Sequence, residues 1–215
     1  MKYAIRLFLV LVALLVSACS DPEPRTKAVY ILLDTSGTYT KQIDEAKKIV
    51  KFLLATLNSG DSLALARIDS ASFSEKDIVA KVTFNVRPTK ANAEKRTFLN
   101  AFNKFAMEIK ASAYTDITGA MLQAIEYLNE TGAGTKYILL VSDLKEEIKK
   151  GHIRNFPIEF NGIKVIALNV TKLTSDNIDP REYMQRLDAW AKRVEDGKGS
   201  WRVMNDLDRV KTLLD

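Results

Sequence analysis

Apolar residues follow two alternating patterns along this chain, one of strand length and one of helical spacing. Ala28 to Leu33 (AVYILL) is an unbroken apolar run that stops at Asp34. A run apolar on both faces suits a central strand covered on both sides. Residues 42–57 carry Ala46, Ile49, Val50, Leu53, Leu54 and Leu57 at helical spacing, and Asn58, Ser59 and Gly60 close that helix. Ser62 to Ile68 reads as a second strand and the alternating Ile78 to Phe84 (IVAKVTF) as a half-exposed one. The short link between them, Asp69 to Asp77, predicts an antiparallel hairpin at a sheet edge. Helices follow over 91–110, with Phe98, Phe102 and Phe105 on a core face, and over 116–129, with Ile117, Met121, Ala124 and Leu128 aligned. Tyr137 to Val141 (YILLV) is a central-type strand that runs into Ser142 and Asp143, and Lys164 to Leu168 is another. A helix over 180–195, a strand at Trp201 to Met204 and a closing helix from Asp206 to Leu214 complete the pattern. Strands alternating with helices predict an α/β fold. The sheet is six-stranded, mostly parallel and doubly wound, with helices on both faces and one antiparallel edge strand. One domain is expected, over 28–215.

The first residues do not fit this scheme. Lys2 and Arg6 form a basic start, Leu7 to Val16 is a continuous apolar stretch, and the small residues Ser17 and Ala18 precede Cys19. That layout is a secretory signal over 1–18, with an apolar run shorter than the roughly 20 residues a bilayer span needs. The string VSAC (Val16 to Cys19) resembles the lipobox of bacterial lipoproteins. The resemblance implies cleavage before Cys19 and a covalent lipid, palmitate included, on its thiol, anchoring the protein to a membrane. Cys19 is the single cysteine, so no intrachain disulfide can form. Residues 19–27, with two prolines and mixed charges, read as an extended lipidated tether. Ser20 after the cysteine matches the outer-membrane sorting type of enterobacterial lipoproteins, which implies a cell-envelope location facing the periplasm.

Charge removes one class of function. The chain carries +5, and loss of Lys2 and Arg6 leaves 30 basic against 27 acidic residues. A balance that weak and that evenly spread does not suit nucleic acid.

The chemistry gathers at strand ends. Asp34 ends the first buried strand, Asp143 follows the fourth, and Thr115 precedes a helix. In an open α/β sheet such positions share one edge, and ligands bind where the strand order reverses. If strands one and four flank that point, Asp34 and Asp143 face each other, with the hydroxyls of Ser36, Thr38 and Thr115 nearby. Two carboxylates and three hydroxyls make a hard oxygen site suited to Mg²⁺, with Mn²⁺ or Ca²⁺ as alternatives. The absence of histidine from the set argues against zinc. Structural roles compete: Ser36 and Thr38 as helix caps, Thr115 or Asp116 as an N-cap, and Asp143 as the cap of a short helix after it. Asp69, at the end of the second strand, is a further residue near the edge. His152 reads as a surface residue, and no GxSxG nucleophile elbow occurs.

Three segments resemble one family. Asp34-Thr35-Ser36-Gly37-Thr38 resembles the DxSxS signature of von Willebrand factor A (vWA) domains, their metal-ion-dependent adhesion site (MIDAS). Thr115-Asp116-Ile117-Thr118-Gly119-Ala120-Met121 is similar to the segment that supplies the family's threonine ligand, and Ile138 to Asp143 (ILLVSD) to its strand ending in TD or SD. Thr38 replaces the usual serine, and Leu144 stands where many members have glycine. The resemblance implies a Rossmann-like fold and a metal site at Asp34, Ser36, Thr38, Thr115 and Asp143. The implied function is metal-dependent protein–protein interaction without catalysis, in which a partner's acidic residue completes the metal shell. The loops Gly37 to Lys41, Ser112 to Asp116 and Leu144 to Gly151 would set specificity, and Lys145, Lys149 and Lys150 would steer and bind an acidic partner. The rival reading is a metal-dependent phosphohydrolase, or an accessory subunit of an envelope enzyme or secretion complex.

Overall fold

Side-chain alternation along the first strand explains why its sequence is apolar throughout. In β1 (Lys27–Asp34), Ala28, Tyr30 and Leu32 enter one core, while Val29, Ile31 and Leu33 enter a second core on the opposite face. The computed structural model describes residues 24–214 except 37–39, 71, 169, 171, 172, 174, 175, 177, 178 and 207–211. The signal segment, Cys19, Gly37, Thr38 and most of the closing helix expected over 206–214 lie outside the described residues.

After β1 come α1 (Thr40–Thr56), β2 (Ser62–Ile68), β3 (Ile78–Thr83), α2 (Pro88–Glu108), α3 (Ile117–Glu130), β4 (Thr135–Val141), β5 (Lys164–Leu168), α4 (Pro180–Asp196) and β6 (Ser200–Met204). The strands lie in the order β3-β2-β1-β4-β5-β6. All neighbours are parallel except β2 and β3, which pair antiparallel at the edge as the short link between them required. One face is covered by α3 and α4 through Ile117, Met121, Ala124, Leu128, Trp190 and Val194. The other is covered by α1 and α2 through Ile49, Leu53, Phe98 and Phe102. The chain builds outward from β1 to β2 and β3, then returns to β4 on the far side of β1. The order therefore reverses between β1 and β4, with Leu33 level with Val141.

One boundary differs from the expectation. Lys27, placed in the tether by sequence, is the first residue of β1, and the residues before it already touch the domain. The Thr26 carbonyl accepts from Thr135 N at 3.3 Å. A Cβ on Gly134 would run into the Pro24 carbonyl oxygen, so the chain can pass there only beside a glycine. The competing reading of Asp143 as the cap of a short helix fails, since residues 142–163 cross from β4 to β5 as irregular chain. Leu144 adopts φ 65°, which stops a right-handed helix at its first residue. Ile158, Phe160 and Ile163 of this crossover fill the core in place of a helix face. No described helix is long and apolar enough to cross a membrane.

Candidate metal-binding edge

Parallel pairing of β1 with β4 carries both strands to the same sheet edge, and Asp34 and Asp143 arrive there together. Asp34 is 3% exposed and Asp143 7%. Burial pushes the Asp143 carboxyl above its ordinary value, the Lys145 N–H pulls it down, and the negative charge of Asp34 pushes it up again. Two carboxylates that feel each other's charge in a buried crevice disfavour joint ionisation unless positive charge is added.

Local turns hold each group. Asp34 Oδ1 accepts from Ser36 N at 2.9 Å, and Asp143 Oδ1 accepts from Lys145 N at 2.8 Å. Asp34 Oδ2 accepts from Ser142 Oγ at 2.6 Å, and that hydroxyl in turn accepts from Leu144 N at 3.0 Å. Ser142 thus ties the end of β4 to the end of β1. Replacing Ser142 with alanine removes a buried, charge-assisted hydrogen bond, with an expected cost of about 1.5–3 kcal/mol. A urea titration in which Ser142→Ala has an unchanged midpoint would refute this role.

Thr115 is buried and lies between two other strand-end segments. It forms a bridge with Glu147, in the loop beyond Asp143, while Asp116 N donates to the Asp69 carbonyl. Of the two candidates for the N-cap of α3, Asp116 takes the role: its Oδ1 accepts from Gly119 N at 2.8 Å. Thr115 is therefore not needed as a cap. Ser36 is half-buried and bridges to Ser112, whose N–H donates to the Thr35 carbonyl at 3.0 Å.

Asp69 supports this arrangement from the β2 side. It accepts from Ser112 Oγ at 2.7 Å and pairs with Arg67 at 3.0 Å. Burial raises its carboxyl, but bonds from Ser112 and Ser70 and the charge of Arg67 together hold it below the ordinary range. Sequence reading singled out neither Ser112 nor Ser142 as a partner of these acids. Ser142 follows a strand and Ser112 lies between α2 and α3, and only the fold assigns their partners.

The lysines differ from one another. Lys149 and Lys150 are exposed, whereas Lys145 is paired with Glu147 at 2.6 Å, which offsets part of its charge. His152 is exposed, as its polar surroundings predicted. No group of three or more histidine, cysteine or acidic side chains suited to a metal occurs among the described residues. The donors at this edge are two carboxylates with hydroxyls, a set that fits a hard divalent cation better than zinc.

A family model for the von Willebrand factor type A domain matches residues 28–200. No curated protein matches the sequence. The chain is similar to a D319A mutant of the PilB minor pilin from Streptococcus sanguinis, at 12% identity, TM-score 0.52, and 90% coverage of this chain and 61% of that one. It is also similar to the pilus adhesin SpaC from Lactobacillus rhamnosus GG, at 13% identity, TM-score 0.50, and coverage of 91% and 29%. For a von Willebrand factor type A structure from Catenulispora acidiphila the identity is 16%, the TM-score 0.49, and the coverage 88% and 41%. The chain spans less than two thirds of each of these three, and at such identities the likeness to the pilin and the pilus adhesin is one of fold. The strand order, the single antiparallel edge and a family match over most of its length agree: this chain belongs to the von Willebrand factor type A domain family.

Proposed function

We propose that Asp34, Ser36, Thr38, Thr115 and Asp143 hold a divalent cation, Mg²⁺ or else Mn²⁺ or Ca²⁺, and that the domain uses this edge to bind an acidic group of a protein partner. The observation that carries the reading is the pair of buried carboxylates at the β1–β4 crevice, mutually repelling and in no salt bridge among the described residues. Arg186 and Lys145 already lend Asp143 some positive charge, and a bound ion would add to it and offer open coordination positions for a partner's carboxylate. Ser142 and the turns at Ser36 and Lys145 orient the two acids toward that role. Lys149 and Lys150 lie on the loop after Asp143 and would attract an acidic partner, with less help from the paired Lys145. Binding is favoured over turnover because the hydroxyl residues of the edge have no histidine near them in sequence to serve as a base.

An ion that binds only the folded state adds about 2.7 kcal/mol at a hundredfold excess over its Kd. For a domain of this size that raises the thermal midpoint by roughly 5–10 °C. Asp34→Ala should fold and show no such rise. A wild-type protein with neither a midpoint shift nor calorimetric heat at saturating Mg²⁺ or Mn²⁺ would sink the proposal.

We further propose that lipid on Cys19 anchors the domain to a membrane of the cell envelope, the outer one facing the periplasm. The support is the VSAC string after a short apolar run. Cys19→Ser should shift the protein out of the detergent phase on phase partitioning; unchanged partitioning with unchanged mass would refute the anchor.

A further inference from the structure

The outer edge of the sheet carries a second feature, which shares no side chain with the proposed metal ligands. A pocket of about 420 Å³ lies between the start of β3 and the C-terminal half of α2. Its floor is apolar, formed by Val79, Ala101, Phe105 and Ile109. A smaller pocket of about 300 Å³ shares Val79 and Ala101 and continues along β3 to Val82, over Phe98. The two together make a groove along a strand that is paired on one side only, by β2.

Charge is concentrated at one end of this groove. Lys76, Lys104 and Lys110 line the first pocket, are exposed, and form no salt bridge among the described residues; Glu108 lines it too and is exposed, so its exposed charges stand at three positive to one negative. Arg67 is already committed, to Asp69 at 3.0 Å and Asp77 at 3.3 Å. At the other end, Glu94 is spent on the Asn85 N–H. The lysine end therefore suits an anion. Asp77 lines the same pocket and is 1% exposed; its Oδ1 meets Arg67, while its buried Oδ2 has no hydrogen-bond partner. Buried acceptors nearly always have a donor, so a ligand that brings an N–H beside its anionic group would complete the site once the Asp77 side chain shifts toward the pocket.

An anionic group, an adjacent N–H and an apolar side chain are what the last residue of a peptide presents. A peptide pairing antiparallel with β3 would place its C-terminus where β3 begins, beside Lys76 and Asp77, and its preceding side chains along the groove. We propose that the β3–α2 groove binds the extended C-terminal segment of a protein partner by strand addition, with the terminal carboxylate held by Lys76, Lys104 and Lys110.

The test is selection of displayed random peptides with free C-termini against the whole chain, followed by anisotropy with the enriched peptide. Amidating its C-terminus should weaken binding at least about tenfold, since a charge-assisted contact is lost. The pair Lys76→Gln and Lys104→Gln should weaken binding likewise in a protein that still unfolds cooperatively, because both side chains are exposed and no new negative charge faces Asp77 or Glu108. Amides of Ile78 to Thr83 should gain exchange protection, and chelator should change nothing. Failure to enrich any sequence overturns the proposal. So does equal binding of acid and amide, indifference to the lysine changes, or loss of binding with chelator. Because the expected binding needs no metal, its failure leaves the metal-edge reading standing, and the reverse holds too.

Discussion

Arg154→Met should destabilise the domain by about 3–5 kcal/mol, because it strands a buried charge. Arg154 grips Asp116 with two nitrogens: Nη2 lies 2.7 Å from Oδ2 and Nε 2.9 Å from Oδ1. The side chains are 17% and 1% exposed, so solvent can replace little of what Arg154 supplies. Asp116 cannot simply leave, since it caps α3 and its backbone N–H is tied to Asp69. The same contact pins the irregular crossover onto α3, aided by Arg193, which donates to Thr118 Oγ1 at 2.6 Å and to the Arg154 carbonyl at 2.8 Å. In a domain of this size the thermal midpoint should fall by roughly 6–20 °C. Asp116→Asn in the Arg154→Met background removes the stranded charge while keeping an oxygen for the cap, so the double variant should be more stable than Arg154→Met alone. If chemical denaturation places Arg154→Met within about 1 kcal/mol of wild type, the pair behaves as a surface ion pair and the crossover is held by other contacts.

The second large effect concerns Leu144 and has an unusual order. Leu144 is 2% exposed yet sits at φ 65°, the left-handed region that favours glycine. Many vWA domains carry glycine here, and this chain keeps a glycine-like backbone with a leucine side chain. Packing offsets the strain: Leu144 joins the core shared by α3 and α4, and its carbonyl accepts from Trp190 Nε1 at 3.2 Å. Leu144→Ala loses the packing and keeps the strain, with an expected cost of about 2–5 kcal/mol. Leu144→Gly loses slightly more packing but releases roughly 1–2 kcal/mol of left-handed strain. Glycine should therefore be the milder substitution, the reverse of its usual standing against alanine. Differential scanning calorimetry on the two variants decides it: a glycine variant less stable than the alanine variant would mean that the strain at Leu144 is negligible.

A left-handed leucine could not be read from the sequence. Leu144 in a window of charged residues gives no hint of burial, and the sequence reads Leu144 to Gly151 as a loop with no sign of its backbone conformation. The backbone conformation there is imposed from outside the segment, by the Ser142 hydroxyl on its N–H and by the core that takes its side chain. Asp116 shows the same limit. Its capping role follows from one residue type at one offset, whereas its partner Arg154 lies 38 positions away in a stretch with no periodic pattern.

What the sequence alone determined is whatever repeats locally or sits at an element's end. Strand and helix periods report burial because side chains return to the same face every two or every 3.6 residues. The runs at Ala28 to Leu33 and Tyr137 to Val141 accordingly announced a sheet covered on both faces, and the short Asp69 to Asp77 link announced the antiparallel edge. Asp34 and Asp143 were legible as candidates because each follows such a run. The tertiary structure alone decided which polar groups meet. Ser142 reaches Asp34 across 108 residues, Ser112 reaches Asp69 across 43, and Arg67 is divided between Asp69 and Asp77. The physical reason is that a hydrogen bond or ion pair acts over a few ångströms in space, and its partner leaves no periodic trace along the chain.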